Sequence, residues 1–315
     1  MTRVQDIYPD HRISLREVGL RDGLQLVKKF PSTTAKQRWM RDEYGAGVRH
    51  FEVGSFLPAT TFPQFADVRE IVRTVASLPG AHGVALVLNE RGVNEALASG
   101  VAEIATVVSA TEEHSRANAN RSREQAIANV KRLCELRDAS PHRPIVNAAI
   151  SMALGCSITG PVDPNEVIKL VEKCLEAGVD FVAVADTVGY AGPKQVGELT
   201  SAVVKLSGTK PVCVHLHDTR GMGIANASAA LDAGARILDG SLGGLGGCPF
   251  APGATGNVVF EDLVFLCESK GFSTGIDIEK LVAVRAILRA EMPGETLYGG
   301  LARAGLPSGR TSVAA

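Results

Sequence analysis

Short apolar runs rich in Val, Ile and Ala recur along the chain at residues 13–18, 49–53, 82–88, 103–108, 145–150, 181–185, 212–217 and 236–240. Their brevity and β-branched content predict buried strands. Between them lie longer stretches with one apolar and one polar face, as at 122–137, 164–177, 193–206 and 222–233. These predict helices. Asp163-Pro164 is a helix start, an N-cap acid followed by Pro at the first helical position. One phrase recurs four times, a small residue, Gly and an apolar residue: Ala46-Gly47-Val48, Ser99-Gly100-Val101, Ala177-Gly178-Val179 and Ala233-Gly234-Ala235. Gly just past a helix end closes it in the left-handed conformation, and the next strand begins. Eight strands alternating with helices over about 240 residues predict a (β/α)8 TIM barrel. A doubly wound sheet is the structural alternative. No Pro- or Ser-rich linker divides the chain. The expected organisation is a barrel over residues 1–275, including a Gly-rich flap at 243–257, with a C-terminal helix and tail, 276–315, packed on it.

Composition narrows this little. With 315 residues, 45% of them hydrophobic, the chain can bury a large core. A formal net charge of −1 gives no sign of a nucleic-acid or membrane-binding surface. The opening MTRVQDIYPDHR is too polar for a signal peptide, and no apolar run approaches a membrane span. A cytoplasmic protein is therefore expected. Six cysteines lie scattered, mostly in apolar segments, and read as reduced thiols.

A barrel places its chemistry at the C-terminal ends of its strands. Those ends are crowded with polar groups: Arg21 and Asp22, Glu52, Asn89, Ser109, Asp186 and Thr187, His215 and His217, Asp239 and Ser241. In VCVHLHDT (212–219), His215 and His217 are two apart on a strand and share a face. They read as paired metal ligands or as two hydrogen-bonded core histidines. Arg21-Asp22-Gly23 supplies a fixed cation, an anionic oxygen and a tight backbone, or closes a surface turn. The loop GGLGGCPFAPGATGN (243–257) is neither a dinucleotide fingerprint nor a P-loop. It reads as a flap or a flexible linker, and Cys248, held between Gly and Pro, as a candidate acid or base. Asp22, His215, His217 and the amide oxygen of Asn257 form a mixed N/O set that suits Mg²⁺ or Mn²⁺ better than structural zinc. Zn²⁺ and Co²⁺ are compatible with it.

On these residues the chain resembles the 3-hydroxy-3-methylglutaryl-CoA lyase family, within the larger group of metal-dependent barrel lyases and aldol-type synthases. The likeness includes VGLRDGLQ (18–25), Glu52 with Ser55-Phe56, SATE (109–112), NAN (118–120), ALGC (153–156), DTVG (186–189), HLHDT (215–219) and GGCPFAPGATGN (246–257). The GGCP flap is the element that separates lyases from synthases. The resemblance implies cleavage of a 3-hydroxy-diacid acyl-CoA to acetyl-CoA and a keto acid, as in leucine catabolism. It implies Mg²⁺ or Mn²⁺ on Asp22, His215, His217 and Asn257, and CoA as part of the substrate. Arg21 would stabilise the enolate oxygen, with Cys248 on the flap and Glu52 supporting the Arg and metal region. Gln25, Lys28, Ser55, Asn118 and Thr187 would face substrate, Lys28 at the nucleotide end of CoA. A homodimer is also implied. The chain departs from the family pattern at Leu26-Val27, where Asn-Glu is usual, at Met222, where Gln is common, and at Ala183, where Ser is frequent. These changes bear on the acyl group. The alternatives are a related ester, citramalyl-CoA or a longer-branched 3-hydroxyglutaryl-CoA, or an acyl-CoA synthase or aldolase on the same barrel.

Overall fold

The computed structural model describes residues 3–247 and 256–308. Eight parallel strands close into a barrel in chain order: β1 (Ser14–Glu17), β2 (His50–Ser55), β3 (His82–Leu86), β4 (Glu103–Ser109), β5 (Ile145–Ser151), β6 (Phe181–Asp186), β7 (Val212–Leu216) and β8 (Ile237–Gly240). All eight predicted strands are present, and the doubly wound alternative is excluded by pairing of β1 with β8. The third ends at Leu86 rather than residue 88, because Asn89 is claimed as the cap of the next helix and accepts from Gly92 N–H at 2.9 Å.

Helices fill the intervals: α1 (Arg3–Ile7), α2 (Thr33–Gly45), α3 (Val68–Ala76), α4 (Glu90–Ser99), α5 (Glu112–Ala119), α6 (Arg123–Ala139), α7 (Pro164–Glu176), α8 (Pro193–Ser207), α9 (Gly223–Asp232), α10 (Phe260–Ser269), α11 (Ile278–Glu291) and α12 (Gly300–Ala304). Asp163 caps α7 by accepting from Asn165 N–H. The glycines of the four predicted turns all have positive φ. At Gly47 (φ 109°) a Cβ would also collide with the carbonyl oxygen of Gly275. The main apolar core lies between the strands and the surrounding helices, which is why the outward-facing strand residues are Val, Ile and Ala. Helix α11 buries Leu281, Val284 and Leu288, and Asp277 N–H at its start donates to Ala46 O at the end of α2.

The barrel interior is different. It carries Arg16, Glu103, Asn147 and Asp239, all 5% exposed or less, where an apolar filling would be usual. Helix α1 closes the N-terminal end, with Val4 and Tyr8 packed on Ile145, Phe181 and Ile237. Strand register sets the interior layers. Arg16 pairs with Asp239 across β1 and β8, and Asp239 with His215 across β8 and β7. Partners in a parallel ladder point to the same side, so these three side chains share one level inside the barrel.

Candidate active site

At the C-terminal mouth the chain leaves β1 through a single wide helical turn, Gly19–Gly23, that presents Arg21 and Asp22 inward. His215 comes from β7 and His217 from the residue just past it. An isolated antiparallel bridge pairs Asn257, at the end of the Gly-rich loop, with His217. One ligand atom each from Asp22, His215 and His217 lies within 4.8 Å of the others. Asp22 Oδ2 is 3.4 Å from His217 Nε2 and 3.9 Å from His215 Nε2. Asn257 Nδ2 donates to the same oxygen at 2.8 Å. The histidines are therefore a cluster with an acid, not two separate core residues.

Arg21 is gripped from both sides. Its Nη1 lies 2.7 Å from Asp22 Oδ1 and its Nε 2.8 Å from Glu52 Oε2. Nη1 also donates to Gln25 Oε1 at 3.2 Å. A guanidinium held this way is oriented before substrate arrives. Burial by itself would raise the Asp22 pKa, but the Arg21 charge and the two imidazoles outweigh it and hold Asp22 well below the usual carboxylate range. For Glu52 burial wins over Arg21, and its pKa is raised. Burial would lower His215, yet its hydrogen bond to Asp239 and the Asp22 charge leave it raised.

These groups line a cavity of about 250 Å³ at the strands' C-terminal ends. A roomier cavity, about 780 Å³, opens at the opposite end of the barrel beside α1; among the described residues its Asp6, His11, His50 and His82 do not form a metal-type cluster. The smaller cavity also holds Gln25, Asn118 and Thr187. Thr187 Oγ1 accepts from Met152 N–H at 2.8 Å. Two expected substrate residues stand apart from it. Lys28 is exposed and does not line the cavity. Ser55 is buried at the end of β2, outside the lining, with its hydroxyl lacking a hydrogen-bond partner among the described residues. Cys248 and the rest of 248–255 lie outside the described residues.

The donor set fits a divalent cation. It combines a carboxylate kept anionic, two imidazoles and a carboxamide whose Oδ1 is buried without a hydrogen-bond partner among the described residues. His217 Nδ1 is likewise buried and unpartnered. Mixed N/O ligation of this kind suits a catalytic cation with room for substrate oxygens.

Among the titratable cavity residues, sequence reasoning missed Arg16 and His114. Arg16 lines the floor, and its signal was available: a charge within a short buried strand, beside a second charge at Glu17. His114 lines the wall from α5, with Nδ1 2.8 Å from Ser109 Oγ. Its pKa is lowered by burial. Nothing local in its sequence distinguishes it from a helix-surface histidine.

Fold and site together define a (β/α)8-barrel protein with a candidate divalent-cation centre and a clamped arginine at the catalytic mouth. The HMGL-like family model matches residues 12–288. The chain is 33% identical over 285 residues to the hydroxymethylglutaryl-CoA lyase of Bacillus subtilis, covering 90% of this chain and 94% of that one. It is 36% identical over 280 residues to the hydroxymethylglutaryl-CoA lyase of Pseudomonas mevalonii, covering 89% and 92%. The solved structure of an HMG-CoA lyase from A. baumannii, in complex with coenzyme A and 3-methylmalate, superposes with a TM-score of 0.88 at 33% identity, covering 98% and 99%. The chain belongs to the HMGL-like family.

Proposed function

We propose that this protein is a divalent-cation-dependent carbon–carbon lyase. Its substrate is a 3-hydroxy-diacid acyl-CoA of the 3-hydroxy-3-methylglutaryl-CoA type, and its products are acetyl-CoA and a keto acid such as acetoacetate. The observation that carries this reading is the Asp22, His215 and His217 cluster beside the clamped Arg21. The likeness over most of the chain to proteins named as HMG-CoA lyases supports it and disfavours the synthase alternative.

Asp22, His215, His217 and Asn257 are the residues that would hold Mg²⁺ or Mn²⁺. Bound there, the cation supplies Lewis-acid charge that lowers the pKa of a substrate hydroxyl. The reaction breaks the bond between C2 and C3. Its electron pair passes into the thioester enolate, while the 3-hydroxyl loses its proton and becomes the ketone oxygen. Arg21 meets the charge that grows on the thioester oxygen, already oriented by Asp22 and Glu52. The proton taken from the 3-hydroxyl is balanced by one delivered to C2 of the enolate, which gives acetyl-CoA, and Cys248 of the flap or Asp22 is assigned to this proton movement. Gln25, Asn118 and Thr187 are assigned to the acyl chain and pantetheine arm, and Lys28 and Ser55 to the outer parts of CoA and the mouth. The reading includes a homodimer, a cytoplasmic place in leucine breakdown and a boundary near residue 275 between barrel and C-terminal helix. No helix among the described residues is long and apolar enough to cross a membrane.

The test is direct. The purified chain is treated with EDTA, then given 3-hydroxy-3-methylglutaryl-CoA with and without Mg²⁺ or Mn²⁺, and both products are followed. Equimolar acetyl-CoA and acetoacetate, formed only with the cation, is the expected result. No cleavage, under conditions in which a related lyase turns over, overturns the reading.

A further inference from the structure

Below the candidate cation cluster the barrel holds a chain of buried hydrogen bonds. His215 Nδ1 lies 3.1 Å from Asp239 Oδ2. Asp239 receives a two-pronged contact from Arg16, Nε to Oδ1 at 2.8 Å and Nη2 to Oδ2 at 2.9 Å. Arg16 Nη1 continues to Glu103 Oε1 at 3.2 Å. Glu103 is itself fixed by Tyr8 Oη (2.8 Å), His82 Nε2 (2.8 Å) and Asn147 Nδ2 (2.6 Å). Arg16, Glu103 and Asp239 are 0–5% exposed at their side chains.

This arrangement decides which nitrogen His215 offers upward. With Nδ1–H donated to Asp239, the lone pair sits on Nε2, the atom 3.9 Å from Asp22 Oδ2. A carboxylate partner that fixes a ligand's tautomer and ring angle is worth much of its affinity for the ion. Asp239 can do this only if its own two oxygens cannot rotate, and the Arg16 fork occupies both. Planar two-point binding of a carboxylate is a property of guanidinium, not of an ammonium.

We infer that Arg16, from the barrel floor, is a positioning residue for the cation site: it locks Asp239, which aims His215. This rests on the divalent-cation reading above. The competing account is that Arg16 only neutralises buried acids. One variant separates them, and a second is its control. Arg16→Lys keeps the charge and loses the fork. Arg16→Met with Glu103→Gln keeps the interior net charge but leaves Asp239 without its direct counter-charge, so it is a control for loss of fork and compensation together. Mn²⁺ binding to the EDTA-treated full chain is read from the EPR signal of free Mn²⁺, alongside melting temperature.

Arg16→Lys should melt near the parent and the double variant, with Asp239 buried and unpaired, lower; both should bind Mn²⁺ about 10–100-fold more weakly, the usual cost of losing an outer-shell partner. Arg16→Lys binding within about twofold of the parent overturns the inference in favour of plain charge neutralisation, and the lyase reading survives. A parent chain that binds no Mn²⁺ removes the cation site, and with it both readings.

Discussion

Arg21 and Asp22 are adjacent in sequence but have opposite tasks, and their surroundings separate them. Asp22 stays anionic because Arg21 and two imidazoles surround it, so it is ready to face a cation at neutral pH. Arg21 is shared between Asp22 and Glu52, which fixes its plane without occupying every donor it has. Removing a charge aimed at a transition state costs on the order of 10²–10³ in turnover. Arg21→Met should therefore lose at least that factor in kcat while keeping its circular dichroism and its Mn²⁺ affinity. Near-normal turnover would rule out the enolate role. Asn257 offers a complementary check. Its Oδ1 is the orphaned oxygen of the cluster, so Asn257→Ala should weaken Mn²⁺ binding, whereas a variant at exposed Leu26 should not.

At the scale of elements, each helix-to-strand turn repeats one solution, and the four differ in how tightly they are packed. Gly100 (φ 75°) has open space where a Cβ would go, while Gly47 (φ 109°) faces the Gly275 carbonyl. Both alanine variants suffer the left-handed backbone, about 1–2 kcal/mol. Only Gly47→Ala must also displace the segment that leads into α11. Chemical denaturation should show Gly47→Ala as clearly the more destabilised of the two; equal losses would mean that the 275 segment yields freely. The root of the flap is held by a different device. Leu242 N–H donates to Glu17 Oε1 at 3.0 Å and Gly243 N–H to Glu261 Oε2 at 2.9 Å. Two buried acids from different elements thus set where the flap leaves β8.

For the whole molecule those acids carry a pH signature. Burial, opposed in part by the two backbone N–H groups, pushes Glu17 up to about 8. Neighbouring Glu43 is raised by burial and by Glu17. A folded pKa above the unfolded value makes the folded state the stronger proton binder in between. The stability this supplies is fully present below the unfolded value, near 4.5, and is lost as pH rises to about 8. Melting temperature should fall between pH 5 and pH 9. Glu17→Gln keeps an oxygen for Gly19 and Leu242 N–H but cannot titrate, so its profile should be flatter. An unchanged slope would sink this assignment. Cation binding works on the same scale. An ion that binds only the folded chain adds about 2.7 kcal/mol at a hundred times its dissociation constant. Mn²⁺ should raise the melting temperature of the EDTA-treated protein, and the gain should vanish in Asp22→Asn.

Much of this was legible in the chain itself. Strand runs, helix faces and the Gly turns depend on neighbours a few residues apart, so the eight-fold alternation and the strand positions could be read directly. The pairing of His215 with His217 follows from the two-residue period of a strand. The loop motifs marked Arg21, Asp22 and Asn257. Local pattern could not say that Asp22 and Asn257, 235 positions apart, meet at 2.8 Å. Nor could it place Arg16 under Asp239 across 223 positions, because that depends on the register between the first and last strands of a closed barrel. His114 reached the cavity for the same reason, through the direction in which α5 leaves β4. The sequence by itself determined the order and type of the elements and most of the chemistry at their ends. Closure of the barrel decided which of those ends face one another, because strand register is a long-range property that no single segment encodes.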